Sequence, residues 1–352
     1  MTQLTDYLQK AVSSRASDLF IVAGGPVCAK QDNRLVPISQ DRVFPNETEE
    51  LIREVYALAS RPMDRFLQEG DDDFSFSMAG MARFRVNVYR QRGSMAAVIR
   101  VVAFDIPNWM DLGIPEQVMA LAEVQHGMVL VTGTAGSGKS TTQACVIDRI
   151  NRTRECHIIT LEDPIEYLHR DRRSIVSQRE VAIDTQNYPS ALRACLRQAP
   201  DVILLGEMRD QETIHTAMTA AETGHLLIAT LHTKGAVNTI DRIVDTFPSG
   251  QQDQVRVQLS MVLHTVVSQQ LVPNTKGGLV PAFEIMHVNN AIRSLIRDSK
   301  THQIDNAIAA GGAEGMITMD QSLLALYKGR EITAETALSY ADNPEQLRRR
   351  IG

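Results

Sequence analysis

The run Gly133-Thr134-Ala135-Gly136-Ser137-Gly138-Lys139-Ser140 fits the pattern G-x-x-x-x-G-K-[ST]. No other feature restricts the fold of this chain so tightly. The glycines allow a tight backbone turn that aims successive N–H groups at phosphate oxygens, and a helix after the loop adds its positive N-terminal end. Lys139 would reach the β- and γ-phosphates of a nucleotide, and Ser140 would ligate Mg²⁺. With Thr141, these residues form a candidate binding loop for ATP or ADP. The flanks agree: an apolar strand at 128–131 precedes the loop and a helical pattern at 141–150 follows it.

Such a loop sits between a strand and a helix of a parallel α/β sheet. The neighbouring sequence extends that pattern, with short apolar strands at 128–132, 157–161, Val202–Leu205 and Leu226–Leu231 alternating with helical stretches. Beyond about residue 236 strand signals fade, and helical patterns at 240–246, 253–271, 291–299 and 320–328 predict a helical C-terminal part.

The first hundred residues predict a smaller α+β domain. Leu4, Tyr7, Leu8 and Val12 fall at helical spacing, and Asn46 with Glu49 resembles a capping box opening a helix through Leu51, Ile52, Val55 and Tyr56. Residues 82–90 alternate Phe84, Val86 and Val88 with Arg83, Arg85 and Asn87, as a half-buried strand does. Gln91-Arg92-Gly93-Ser94 then suggests a hairpin into a second apolar run at 96–102. Pro107, Gly113 and Pro115 mark an interdomain linker. The resulting division is 1–103, linker 104–116, an ATPase core at 117–270 and a helical region at 271–352. For 352 residues, two or three domains is the expected number.

Composition narrows the function classes. With 43% hydrophobic and 22% charged residues, collagen-like, low-complexity and disordered chains are excluded. A net charge of −6 gives no electrostatic reason to expect nucleic acid or an anionic membrane as partner. No apolar run approaches the roughly 18 residues of a membrane span, and the N-terminus lacks the order of a signal peptide. Cys28, Cys145, Cys156 and Cys195 form no C-x-x-C pair, against a disulfide framework or a structural zinc. A cytoplasmic protein is expected.

Three further segments carry chemistry. Thr160-Leu161-Glu162-Asp163-Pro164-Ile165-Glu166 sets three carboxylates just past the end of a strand, where ligands bind in open parallel sheets. A carboxylate there can orient or deprotonate the water that attacks the γ-phosphate. Val202–Leu205 followed by Gly206-Glu207-Met208-Arg209-Asp210 has the layout of a Walker B element, whose acid holds Mg²⁺ through water; the acid here is Glu207 rather than Asp. His225 and His232 flank the next strand, about 23 Å apart if extended, too far to share a metal. His232, at the C-terminal end, could donate to the γ-phosphate. Arg83, Arg85, Arg90, Arg92 and Arg100 crowd onto the earlier strand pair. In a ring assembly Arg85 and Arg100 could neutralise charge on a neighbouring subunit's nucleotide.

Together these segments resemble the secretion-ATPase superfamily, and within it the type IV pilus retraction ATPases (PilT-type motors). Ser17-Asp18-Leu19-Phe20 is similar to the family's opening S-D-L-H, and Asp73-Phe74-Ser75-Phe76 and Arg83-Phe84-Arg85-Val86-Asn87 to its N-terminal strands. Glu162 to Glu166 resembles the "Asp box", 206–210 the atypical Walker B, and Thr223-Gly224-His225 through Thr230-Leu231-His232-Thr233 the "His box". Ala291-Ile292-Arg293-Ser294-Leu295-Ile296-Arg297 resembles A-I-R-N-L-I-R of the retraction branch.

The resemblance implies a PAS-like N-terminal domain, a RecA-like P-loop ATPase core and a homohexameric ring with arginines contributed across subunit boundaries. It implies that Glu166 polarises the attacking water, while Glu207 serves a magnesium site completed by Ser140, Glu162 and Asp163. It further implies a motor that hydrolyses ATP to disassemble pili for twitching motility. Such a motor would work against an inner-membrane platform protein from the cytoplasmic face, without nucleic acid and without a membrane span. An assembly or type II secretion ATPase is the alternative, although those often carry a four-cysteine zinc element that these cysteines cannot build. The sequence departs from the family at Phe20 for His, at Ala135 for a usual Thr, and at Lys234 and Gly235 after the His box.

Overall fold

The computed structural model describes residues 3–351 apart from 32–33, 79 and 103–105, so the first positions of the expected linker lie outside the described residues. The chain divides into two compact units, Met1–Asp105 with Glu166–Leu168, and Ile106–Ile165 with His169–Gly352.

The first unit runs α1 (Gln3–Ser13), β1 (Asp18–Ile21), β2 (Cys28–Gln31), β3 (Arg34–Pro37), α2 (Pro45–Leu58), α3 (Asp64–Glu69), β4 (Asp71–Met78), β5 (Ala82–Gln91) and β6 (Ser94–Val102). Its strands form one antiparallel sheet in the order β3-β2-β1-β6-β5-β4. Phe84, Val86 and Val88 bury one face of β5 against Leu4 and Leu8 of α1 and Ile52, Val55 and Tyr56 of α2, as period-2 alternation requires. The hairpin closes on Arg92 and Gly93, both at positive φ, between paired Gln91 and Ser94. That is the two-residue turn whose twist matches its strands.

The start of α2 differs from the expected Asn46–Glu49 capping box. Pro45, with φ already fixed near the helical value, takes the first helical position, and Glu47 Oε2 accepts the Phe44 N–H at 2.6 Å. Glu49 pairs instead with Arg53 one turn on.

The second unit continues with α4 (Glu116–Met119), β7 (Gly127–Thr132), α5 (Lys139–Thr153), β8 (His157–Glu162), β9 (Ile175–Glu180), α6 (Tyr188–Cys195), β10 (Val202–Leu205), α7 (Gln211–Glu222) and β11 (Leu226–Leu231). Then come α8 (Ala236–Asp245), α9 (Ser249–Val262), β12 (Leu263–Pro273), β13 (Leu279–His287), α10 (Asn290–Arg297), α11 (Ile304–Ala310), α12 (Met319–Lys328), α13 (Ala334–Tyr340) and α14 (Pro344–Ile351). Seven strands form a sheet in the order β13-β12-β7-β11-β10-β8-β9, parallel except for β13 on the edge. Both faces are covered, which is why its central strands read as unbroken apolar runs. Val129, Val131, Val202, Leu204 and Ile228 pack toward Cys145, Ile147 and Ile150 of α5. Met128, Leu130, Ile203, Leu205 and Leu227 pack toward α6 to α10 on the other side.

The helical reading of 253–271 fails from Leu263 onward. Helix α9 ends at Val262, and Leu263 opens β12 with no glycine or proline to mark the change. Thr265, Val266 and Val267 favour the strand, and parallel pairing with β7 claims it. β13 then lies inside the stretch expected to be helical. The last three helices close a smaller core around Met319, Leu323, Ala337 and Leu347. Among the described residues no helix is long and apolar enough to cross a membrane.

Candidate active site

Strand order decides which loops are neighbours. β7 leads into Gly133, β11 into His232, β10 into Glu207, and β8 ends at Glu162 beside Asp163. These four strands are adjacent and parallel, so the four loops leave from one edge of the sheet. Backbone bonds tie them together: Gly206 N donates to Leu161 O (2.8 Å) and Met208 N to Thr230 O (3.0 Å). The Thr230 hydroxyl also donates to the Gly206 carbonyl.

Gly133, Gly136 and Gly138 all take positive φ, which an L side chain rarely adopts. Lys139 is buried, and its Nζ donates to the carbonyls of Gly133 (2.8 Å) and Thr134 (2.9 Å). The cation is thereby held at the mouth of the loop, at the N-terminal end of α5, where the backbone N–H groups point outward. Ser140 and Thr141 follow Lys139 in the first turn of that helix, with Ser140 exposed.

Glu207 Oε2 is shared. Arg209 Nε lies 2.6 Å from it and His232 Nε2 3.2 Å, and the Glu207 side chain is only 12% exposed. Glu162 Oε1 accepts from Thr160 Oγ1 (2.6 Å) and Gln178 Nε2 (3.2 Å), while Asp163 is exposed. Asp210 caps α7 by accepting from Thr213 N at 2.9 Å, a structural task. His225 sits at the far end of β11 with Nδ1 2.9 Å from Ala220 O, closing the end of α7.

Two residues of this edge carried no sequence signal. The Tyr188 hydroxyl lies where a Cβ on Gly206 would come within 2.7 Å of it, so the glycine before Glu207 admits the phenol. Burial pushes the Tyr188 phenol up, reinforced by the charges of Glu207, Asp163 and Glu162. Gln178 is the other, on β9, a strand whose mixed Ile175–Glu180 sequence lacks an apolar run.

The remaining candidates belong to the first unit. Arg85 and Arg100 are directly opposite one another on β5 and β6, on the face away from that unit's core. Like charges so placed repel, and each arginine has a carboxylate of its own: Arg85 Nη2 lies 3.0 Å from Asp73 Oδ2, and Arg100 Nε 3.0 Å from Asp18 Oδ1. The Arg100 side chain remains 64% exposed. Glu166 lies four residues past the end of β8, also exposed.

Glycine loop, acid-tipped strands and a parallel sheet covered on both faces define a P-loop ATPase of the α/β class. The chain belongs to the family described as "Type II/IV secretion system protein", which matches residues 1–346. It is 43% identical over 345 residues to the type IV pilus retractation ATPase PilT of Pseudomonas aeruginosa, covering 98% of this chain and 99% of that one. It is 47% identical over 283 residues to a twitching motility protein of Neisseria gonorrhoeae, covering 80% and 76% of the two. The crystal structure of the pilus retraction motor PilT with bound ADP is similar at a TM-score of 0.89 and 44% identity, over 99% of each chain. The Legionella pneumophila ATPase DotB is similar at 0.80 and 26%, over 95% of this chain and 93% of that one.

Proposed function

We propose that this chain is an ATP-hydrolysing motor that drives retraction of type IV pili and so twitching motility. One observation carries the reading: the P-loop, His232, Glu207 and the acidic segment after β8 leave from one sheet edge of a chain alike along its whole length to a retraction ATPase.

The P-loop backbone and Lys139 bind the β- and γ-phosphates of ATP. Among the described residues no three His, Cys, Asp or Glu side chains cluster as a metal cage. Mg²⁺ keeps several waters and takes one or two protein oxygens plus phosphate, and a serine hydroxyl and a carboxylate are oxygen donors of that kind. Ser140 directly and Glu207 through water would hold it, with Glu162 and Asp163 as the further oxygens. Bound there, Mg²⁺ would neutralise charge on the phosphates. Glu166 polarises the water that attacks the γ-phosphate, giving ADP and inorganic phosphate. His232 hydrogen-bonds to the γ-phosphate and, through Glu207, ties its presence to the neighbouring loop.

Arg85 and Arg100 act across a subunit boundary in a homohexamer. Its output is delivered to the inner-membrane platform protein of the pilus, at the cytoplasmic face of the membrane and without nucleic acid. Deleting the gene and scoring pilus number and surface motility tests the reading. Excess pili with lost motility support retraction; bald cells would mean assembly.

A further inference from the structure

Gln269 lies 127 residues beyond Thr142, outside every motif of the site, yet it underlies the nucleotide loop. Parallel pairing of β12 with β7 runs to Ser268 opposite Thr132, so Gln269 is the next residue along as β7 turns into Gly133. Three contacts arise from that register. The main-chain oxygen of Gln269 lies where a Cβ on Gly133 would come within 2.3 Å of it. Its side-chain Nε2 lies where a Cβ on Gly138 would come within 2.8 Å. Its Oε1 accepts from Thr142 Oγ1 at 2.7 Å in the first turn of α5, with both residues buried. The first and last glycines of the motif thus both abut one residue outside it.

We propose that Gln269 is a positioning residue for nucleotide binding. Its carboxamide fixes the height of α5 against β12 and so the direction in which the N–H groups around Gly138 point. It touches no phosphate itself. A buried amide bonded to a helix's first turn defines that turn to a few tenths of an ångström, and charge-assisted bonds to phosphate depend on such placement. The proposal rests on the nucleotide-binding reading of the loop.

The test is a double-mutant cycle on the full chain, read as affinity for a fluorescent ADP analogue together with kcat and KM for ATP. Gln269→Leu and Thr142→Val should each weaken ADP binding and raise KM by about fivefold, the equivalent of one lost hydrogen bond. Saturating kcat should change less. The double variant should be no weaker than the worse single, because both changes remove the same bond. Thr142→Ser, which keeps the hydroxyl, should bind like wild type. A purely structural role would lower the melting temperature and leave the affinity of the folded protein unchanged. Folded Gln269→Leu and Thr142→Val with wild-type affinity would overturn the proposal, as would effects that multiply. If Gln269→Leu does not fold, the contrast between Thr142→Val and Thr142→Ser decides it. Wild-type chain that binds no ADP analogue would instead refute the nucleotide reading of the loop.

Discussion

His232 and Glu207 meet at 3.2 Å, Nε2 to Oε2, joining the loop after β11 to the loop after β10. Arg209 shares the same carboxylate oxygen at 2.6 Å, so Glu207 keeps a cationic partner if the histidine is removed. His232→Ala should therefore leave Glu207 in place and ATP binding nearly intact, while kcat falls about ten- to hundredfold. A rise in KM at unchanged kcat would make His232 a binding residue instead.

Glu166→Gln separates binding from chemistry. The amide keeps the shape and the hydrogen bonding but cannot act as a base. ATP should bind and remain intact, with turnover down by about a hundredfold or more. Normal hydrolysis at saturating ATP would place Glu166 outside the reaction.

Much of this site was legible because its residues lie at strand ends. Strands buried on both faces write themselves as apolar runs such as Val202–Leu205, and the loops leaving such parallel strands share one edge of the sheet. The hidden part depends on pairing across long separations. The start of β12 has no breaker to mark it, since Val262-Leu263 passes from helix to strand directly; β-branched Thr265, Val266 and Val267 favour a strand, but the register with β7 decides it. Gln269 inherits its place from that register. Tyr188 is equally silent, because its neighbour Gly206 is reached through folding and not through spacing.

The paired arginines predict complementation. If Arg85 and Arg100 serve a neighbouring subunit, mixing Arg85→Ala or Arg100→Ala chains with Lys139→Ala chains creates boundaries with an intact loop and an intact arginine. ATPase activity should rise above both parents. Activity that stays at parental levels after demonstrated subunit exchange would argue for sites complete within one chain.

Helix α10 carries the segment similar to A-I-R-N-L-I-R, and if it couples the motor to the pilus machinery, output and chemistry should be separable there. Ile292 and Ile296 are buried and Leu295 is half-buried against the same core, whereas Arg297 is exposed beside Asp298. Leu295→Ala should cost about 1–2 kcal/mol of stability, below the range for full burial, and is the poorer probe. Arg297→Ala should keep stability and ATPase activity while abolishing pilus retraction in cells. Retraction at normal protein levels in that variant would remove the coupling role.

Glu284 predicts a pH dependence of stability. It is buried and accepts the Ala236 N–H at 2.7 Å at the start of α8, four residues after His232, while Ser268 opposite it on β12 accepts the Gly235 N–H. Burial pushes its carboxyl up to about 7, opposed by that N–H and reinforced by Asp342 and Asp305. The folded state therefore holds a proton that the unfolded state releases. This contribution is fully present below the ordinary carboxyl range and is lost as pH rises through about 7. Glu284→Gln fixes the neutral form, so its melting temperature relative to wild type should rise between about pH 5 and pH 8. A difference that stays flat across that interval would show that Glu284 does not titrate there.

Phosphate release from ATP by the purified chain, compared with Lys139→Ala, tests the central claim most directly. Lys139 is the buried cation of the loop, bonded to the carbonyls of Gly133 and Thr134. The account predicts steady Mg²⁺-dependent hydrolysis by the wild-type chain with no other substrate added. It predicts turnover at background in the variant, whose fold survives as judged by circular dichroism. Near-normal hydrolysis by Lys139→Ala, or none by the assembled wild-type protein, would contradict it.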